Sequence, residues 1–389
     1  MNKLVVGKGA EEGIRRGQRL VFGNSVESVK GKPEKGELVE LIDAQGKFIA
    51  QGYYNPKAAV QCQILSTSQK EKIDLEFYRK KIENANNYRT NRLGFEESYR
   101  LFYGESDGIP GLLIDRFNEI ASVQISCPGV EAWKGQIAQI LLKINGIKTV
   151  FERNDSRNRS KVGLPILKGL LAGEKKLQTV IREGKVLFNV DVSRGHKTGF
   201  YLDQRENRIE LEKYVHSGDQ MLDVFSYTGG FGLHAAALGA EVSMVDLKEA
   251  LAEARKNAKL NNFESIEFLE GQAFEETKKL FGRKDKFDIV SCDPPAFVQK
   301  REDLEAGKKA YHQINYNCLK LVKEGGLLVS SSCSHFLNEE EFLDVLEQAA
   351  ANAGRRVSVI EKRGPARDHL TPIASEKGQY LKCIFLRVE

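Results

Sequence analysis

This 389-residue sequence reads as an α/β protein. Its largest part is a doubly wound parallel sheet in the C-terminal half, preceded by a small N-terminal β-barrel and a small central α+β domain. Three observations carry that reading. From Leu222 onward, short apolar runs alternate with amphipathic ones, strand then helix. Residues 1–70 hold only short apolar or alternating runs, punctuated by glycine and proline. The chain is also longer than one core ordinarily serves, so about two or three domains are expected, at 1–70, 71–185 and 186–389.

In residues 1–70 the expected strands are at Val5, Leu20 to Phe22, Leu38 to Ile42, Phe48 to Gly52 and Val60 to Leu65, with turns at Gly31, Pro33, Gly36, Gly46 and Pro56. The first turn carries Arg15, Arg16 and Arg19. Arginines beside glycine turns can grip a nucleic-acid backbone or simply solubilise the surface. This segment holds 11 Lys+Arg against 7 Asp+Glu, a surplus of four within the chain's net charge of +5. Such a surplus suits a phosphate-rich partner.

In residues 71–185, Leu75, Tyr78, Ile82 and Ala85 recur at spacings of three and four, one face of a helix. Arg100 to Tyr103 and the turn Gly104 to Gly111 lead into strands through Ile114 and Ala121 to Ile125. Trp133, Ile137, Ile140, Leu141 and Ile144 mark a second helix. A strand from Val150 to Glu152 then runs into Arg153 to Lys161, a basic loop that can contact RNA or stand as a solvated surface.

The last region opens with a strand, Val186 to Val192, and the stretch Gly195-His196-Lys197-Thr198-Gly199-Phe200-Tyr201-Leu202-Asp203-Gln204-Arg205. A helix is expected near Asp203. Lys197, Thr198 and Gln204 would lie at its start, as the floor of a cofactor pocket or as plain capping chemistry. The stretch Leu222 to Ala236 is a strand ending at Asp223, a turn through Tyr227, Thr228, Gly229 and Gly230, and a helix from Phe231. Glycines there let a ligand approach the backbone at a helix N-terminus. The next strand, Glu241 to Val245, ends in Asp246, where a Rossmann-type unit holds ribose hydroxyls. The turn is spaced D-x-F-x-Y-x-G and lacks G-x-G-x-x-G. That argues against a nicotinamide dinucleotide and fits a nucleoside ligand without phosphate. Further strands end near Leu269, Asp293 and Ser332, with helices at 248–261, 273–281 and 309–322; Val357 to Ile360 and Leu381 to Arg387 can close the sheet.

Two strand ends carry the chemistry. Asp293-Pro294-Pro295-Ala296-Phe297 stiffens the backbone directly after a carboxylate, where a planar base can pair and Phe297 can stack. Ser330-Ser331-Ser332-Cys333-Ser334-His335 brings a cysteine to the same edge. A thiolate there is a nucleophile; a lone cysteine is otherwise a small buried hydrophobe. His335 is a candidate proton acceptor or an exposed loop residue. The six cysteines form no C-x-x-C pair, so no metal is expected, and their scatter suits a reducing cytoplasm. No apolar run approaches the roughly 18 residues of a membrane span, and the N-terminus is too poor in apolar residues for a signal peptide.

With the basic N-terminal turn, Gly104 to Gly111, Gly195 to Arg205, Phe225-Ser226-Tyr227-Thr228-Gly229-Gly230-Phe231, Asp293-Pro294-Pro295 and Ser332-Cys333-Ser334 in view, nearly the whole chain resembles a known family. These are the class I S-adenosylmethionine-dependent ribosomal RNA methyltransferases with an N-terminal PUA domain, in particular the bacterial large-subunit rRNA cytosine-5 enzymes. The resemblance implies a PUA-like RNA-binding domain at 1–70, a central domain, and a Rossmann-like class I methyltransferase domain. It implies S-adenosylmethionine as cofactor, S-adenosylhomocysteine as product and large-subunit rRNA, of the 23S type, as partner. Cys333 would attack C6 of cytosine while Asp293 holds the ring edge. Asp246 would hold the cofactor's ribose, Asp223, Phe225, Tyr227 and Gly229 would line its methionine side, and Gln272 would meet the adenine. Three positions depart from the family. Ala296 stands where many such enzymes carry a second cysteine, Gly271-Gln272 where an acidic residue is common, and Gln18-Arg19-Leu20 where His-Pro-Trp is usual. Methylation of another base such as guanine, or a non-catalytic ribosome-assembly role, are the competing readings. Monomer and homodimer both stay open.

Overall fold

The structure, a computed structural model, describes residues 1–156, 158–374 and 380–389. The chain forms two compact units: Met1–Ile181 with Val190–Leu202 and Arg367–Gly378, and Arg182–Asn189 with Asp203–Ala366 and Gln379–Glu389.

The first unit opens with β1 (Lys3–Val6), α1 (Lys8–Arg15), β2 (Leu20–Phe22), β3 (Val26–Lys30), β4 (Leu38–Ile42), β5 (Phe48–Tyr54) and β6 (Val60–Ser66). The six strands form one sheet in the order β2-β6-β5-β4-β1-β3, closed over Leu4, Val39, Leu41, Cys62 and Ile64. Helix α1 and strand β3 had no counterpart in the sequence reading. Helix α1 buries only Gly13 and Ile14, too little apolar surface to show a period. It has Glu11 in its first turn and Arg15 in its last, bonded to each other at 2.7 Å, which suits the helix dipole.

A second sheet contains β7 (Ser98–Tyr103), β8 (Leu112–Phe117), β9 (Ile120–Ile125), β10 (Thr149–Asn154) and β11 (Leu167–Gly173), in the order β11-β10-β9-β8-β7. With it go α2 (Leu75–Asn87), α3 (Gly104–Asp107), α4 (Pro128–Glu131), α5 (Lys134–Leu141) and α6 (Asn158–Lys161). Asp74 caps α2, accepting from the Phe77 N–H. Its buried face is Phe77, Tyr78, Ile82 and Ala85. Leu75, expected on that face, stands 49% exposed in the first turn.

The expected basic loop turns two of its arginines inward and leaves Lys161 exposed. The Arg153 guanidinium donates to the carbonyls of Val192 and Gly195, at 2.8 and 2.9 Å. Arg159 donates to Pro165 O and pairs with Glu131. Both arginines are buried, so neither is available to RNA; Arg157 lies outside the described residues. Strands β12 (Gln178–Glu183) and β13 (Val186–Asp191) pair as a two-stranded sheet.

The second unit continues α7 (Arg205–Leu211), β14 (Gln220–Val224), α8 (Gly230–Ala236), β15 (Glu241–Asp246), α9 (Lys248–Leu260), β16 (Ile266–Glu270), α10 (Ala273–Gly282), β17 (Phe287–Cys292), α11 (Leu304–Leu321), β18 (Val322–Ser332), α12 (Glu339–Asn352), β19 (Val357–Arg363) and β20 (Lys382–Val388). The seven-stranded sheet runs β16-β15-β14-β17-β18-β20-β19. Its first five members are parallel, as the alternation of strand and helix requires, and β20 runs antiparallel to both β18 and β19. Order reverses at β14, where the chain passes to β15 on one side and β17 on the other. In an open α/β sheet the crevice beyond the strands' carboxyl ends at such a point receives the ligand. No helix among the described residues is long and apolar enough to cross a membrane.

Candidate active site

The turn after β14 is held from beneath by Asp223, which is 1% exposed. One carboxylate oxygen accepts the Gly232 N–H at 2.9 Å and the other the Ser291 hydroxyl at 2.6 Å. Burial drives its pKa up to about 6. The sequence reading put Asp223 against the cofactor. With both oxygens engaged inside the protein, it instead ties the first turn of α8 to β17.

Above it, Phe225, Tyr227 and Gly229 all take left-handed backbone angles, with φ of 63°, 48° and 84°. For the two non-glycine residues this is strained. Two hydrogen bonds hold it in place: Phe225 N–H to Val245 O at 3.0 Å, and Tyr227 N–H to an Asp246 carboxylate oxygen at 2.8 Å. The other Asp246 oxygen accepts from Leu247 N–H at 2.7 Å. Asp246 is half-buried at the end of β15.

Gln272 is exposed at the start of α10, directly beyond β16. Phe225 meets Phe274 and Phe297 edge-on, each with centroids 6.4 Å apart. Adjacent strand ends therefore offer a carboxylate for a diol, an amide for a heterocycle edge and an aromatic wall. This donor set suits a nucleoside-type cofactor.

At β17 the Asp293 N–H donates to Val224 O at 3.3 Å. Its side chain accepts from Gln204 Nε2 at 3.0 Å, and the same nitrogen donates to Ser331 Oγ at 3.1 Å. Gln204 Oε1 accepts from Asn207 at 2.6 Å. The Gln204 amide is thus spent at both ends, and the residue is 2% exposed. The expectation that it contacts cofactor gives way to another role: it fixes Asp293.

Cys333 follows β18 with its Sγ 3.9 Å from Pro294 O, so the thiol and the Asp293-Pro294-Pro295 turn share one rim. It alone of the six cysteines is not buried. Burial pushes the thiols of Cys127 and Cys383 up to about 12, which leaves them inert. His335 is exposed, its ring tilted against Tyr380 at 5.2 Å.

Other expected residues lie in the first unit. Thr198 is buried and its hydroxyl donates to Asp115, so it is structural rather than a pocket floor. Lys197 has φ 51°, with its ammonium 4.3 Å from the Tyr201 ring centroid. Arg15 and Arg16 are exposed at the end of α1. Arg19 instead turns inward and donates to Leu65 O at 3.0 Å, which withdraws it from a phosphate-gripping role.

The sequence reading missed the buried cluster beside α8. Arg208 donates to both oxygens of Glu183, at 2.9 and 2.7 Å. His234 sits 3.5 Å from Glu183 and 2.6 Å from Glu212. The available signal was an arginine and a histidine on otherwise buried helix faces. Among the described residues no cluster of His, Cys, Asp and Glu could hold a metal ion.

Residues 4–67 match the PUA-like domain family, and residues 167–374 match the S-adenosylmethionine-dependent methyltransferase family. Ribosomal RNA large subunit methyltransferase I of Escherichia coli O157:H7 is 34% identical over 394 residues, covering 99% of each chain. A Methanocaldococcus jannaschii protein described as a candidate ribosomal RNA large subunit methyltransferase is 42% identical, covering 100% of this chain and 99% of that one. A solved Streptococcus mutans protein, a candidate S-adenosylmethionine-dependent methyltransferase, superimposes over the full length of both chains with a TM-score of 0.84 at 23% identity. Another candidate methyltransferase, solved in complex with SAH, reaches 0.86, again at 23% identity and full length of both.

Proposed function

The chain belongs to the S-adenosylmethionine-dependent methyltransferase family with an N-terminal PUA-like domain, that of ribosomal RNA large subunit methyltransferase I, and on that premise we propose that it forms 5-methylcytosine in large-subunit ribosomal RNA through a covalent adduct of Cys333. The observation that carries the proposal is the pairing of the one accessible thiol with the Asp293-Pro294-Pro295 turn, 3.9 Å from sulfur to carbonyl oxygen.

Asp246, Gln272 and the Phe225 ring are the groups to hold S-adenosylmethionine. The cofactor supplies an electrophilic methyl group. Cys333 adds through sulfur to C6 of the cytosine, which places electron density on C5. Asp293, oriented by Gln204, accepts from the exocyclic amine and keeps the ring edge in register. C5 then takes the methyl group, its proton leaves to solvent water, and breaking of the C6–S bond expels the Cys333 thiolate and restores the aromatic base. The target base must leave its stack first, at a cost of a few kcal/mol. The exposed Arg15 and Arg16 are the groups proposed to hold the RNA backbone meanwhile. The six free cysteines suit a reducing setting, and the cytoplasm is the proposed one.

The test is methyl transfer from tritiated cofactor to rRNA fragments, with the modified base mapped, for the wild type and Cys333→Ser. The expected result is 5-methylcytosine and a loss of several orders of magnitude in the variant. Near-wild-type turnover in Cys333→Ser, or label on a guanine, refutes the covalent route.

A further inference from the structure

Lys382 opens β20, opposite Ser332, the last residue of β18. It is 3% exposed, unusual for a lysine. Its Nζ donates to Ser334 O and Leu337 O, both at 2.6 Å, and to Tyr380 O at 2.9 Å. Three carbonyl acceptors need three N–H donors. A neutral amine has two, so this geometry calls for the ammonium. Among the described residues no carboxylate forms an ion pair with it. Glu341 is engaged by Lys308 at 3.0 Å, and Glu339 by Lys362 at 3.1 Å.

A buried cation held only by neutral carbonyls is unfavourable unless an anion compensates it. The segment that Lys382 grips, 334–337, continues directly from Cys333. The charges of the two groups interact: a Cys333 thiolate favours the protonated form of Lys382. By reciprocity the ammonium favours the thiolate.

Among the described residues, the other groups facing this pair do not supply the same field. Asp293, Glu339 and Glu341 are acidic. Tyr311 is hydrogen-bonded to Ser334 Oγ at 3.0 Å, Tyr380 donates to Asp203, and His335 lies exposed against Tyr380.

We propose that Lys382 is the positioning residue of the Cys333 nucleophile: its buried ammonium fixes the 333–337 segment and holds the cysteine as thiolate. This rests on Cys333 being the attacking group. Burial draws the Lys382 ammonium down to about 8, with Cys333, Glu341 and Glu339 working the other way. The support is therefore present at neutral pH and fades above it.

The experiment is the pH dependence of Cys333 alkylation by iodoacetamide in the full chain, followed by peptide mass mapping, since the other five thiols are buried. In the wild type the apparent thiol pKa should lie below the ~8.5 of a free cysteine. Lys382→Met should raise it by about one unit or more, slowing alkylation at pH 7 by about tenfold, and Lys382→Arg should keep most of the effect. A wild-type value at or above that of a free thiol overturns the proposal without reference to any variant, and so does a Lys382→Met curve that overlays the wild type. The readout involves neither RNA nor methyl transfer. Failure here is therefore distinct from failure of the cytosine-5 reading, which Cys333→Ser tests separately.

Discussion

Arg208→Met should destabilise the catalytic unit severely and weaken cofactor binding, although Arg208 is buried. Glu183 is 1% exposed, and its carboxylate has both oxygens on the Arg208 guanidinium. Burial alone would raise its pKa; the Arg208 charge, with hydrogen bonds from His234 and Arg208, outweighs that and holds it at about 2 against an ordinary 4.5. That depression corresponds to about 3 kcal/mol. Removing one partner of a buried pair strands the other and costs about 3–5 kcal/mol. For a unit of this size, about 2–4 °C per kcal/mol gives a fall in Tm of roughly 6–20 °C. The same pair predicts an acid limb. A depressed carboxylate pKa contributes stability that is complete above pH 4.5 and lost as pH falls towards 2, so the variant should lose less on acidification than the wild type. Cofactor affinity should fall because the first residue of α8, Gly230, lies against Arg208: a Cβ there would come within 2.8 Å of the arginine's Cδ. Scanning calorimetry from pH 2 to 8 and titration calorimetry with S-adenosylmethionine measure both. A Tm shift under about 3 °C with unchanged affinity would refute the reasoning.

Gln204→Leu should lower kcat by about tenfold, the loss of a hydrogen bond to a charged group, and leave S-adenosylmethionine affinity within about twofold; a large affinity loss in calorimetry would return Gln204 to the cofactor site. Asp223→Asn keeps an acceptor for the Gly232 N–H, and its amide can donate to the Ser291 hydroxyl oxygen in place of the bond that the hydroxyl donates in the wild type. Because burial raises the Asp223 pKa to about 6, its contribution is full below the ordinary 3.8 and lost as pH rises through 6. The asparagine variant should therefore melt higher than the wild type at pH 8, and Asp223→Ala should be less stable than the wild type by about 1–3 kcal/mol. Gly229→Ala places a Cβ at φ 84° and 3.1 Å from Leu233, which should cost about 1–2 kcal/mol and weaken cofactor binding; an unaltered melting curve would contradict the strain argument.

The parallel part of the large sheet was legible because each strand and helix announces itself by its own period. The strand ends at Asp246, Asp293 and Cys333 followed from that alone. Helix α1 was not legible, since eight residues with a single buried aliphatic side chain carry no period. Side-chain partners were not legible either. Gln204 meets Asp293 across 89 positions and Thr198 meets Asp115 across 83, and nothing local distinguishes a polar residue aimed at a ligand from one aimed at its own fold. Lys382 was invisible for the same reason: only the antiparallel return of β20 sets it opposite Ser332.

The catalytic unit and its companion are woven from one thread that passes between them repeatedly. Arg89, early in the first unit, donates to the carbonyl of Asp368, and the Asp368 carboxylate accepts the Arg100 N–H. Those partners are separated by 279 and 268 positions. Neither unit can be cut from the chain as one uninterrupted segment.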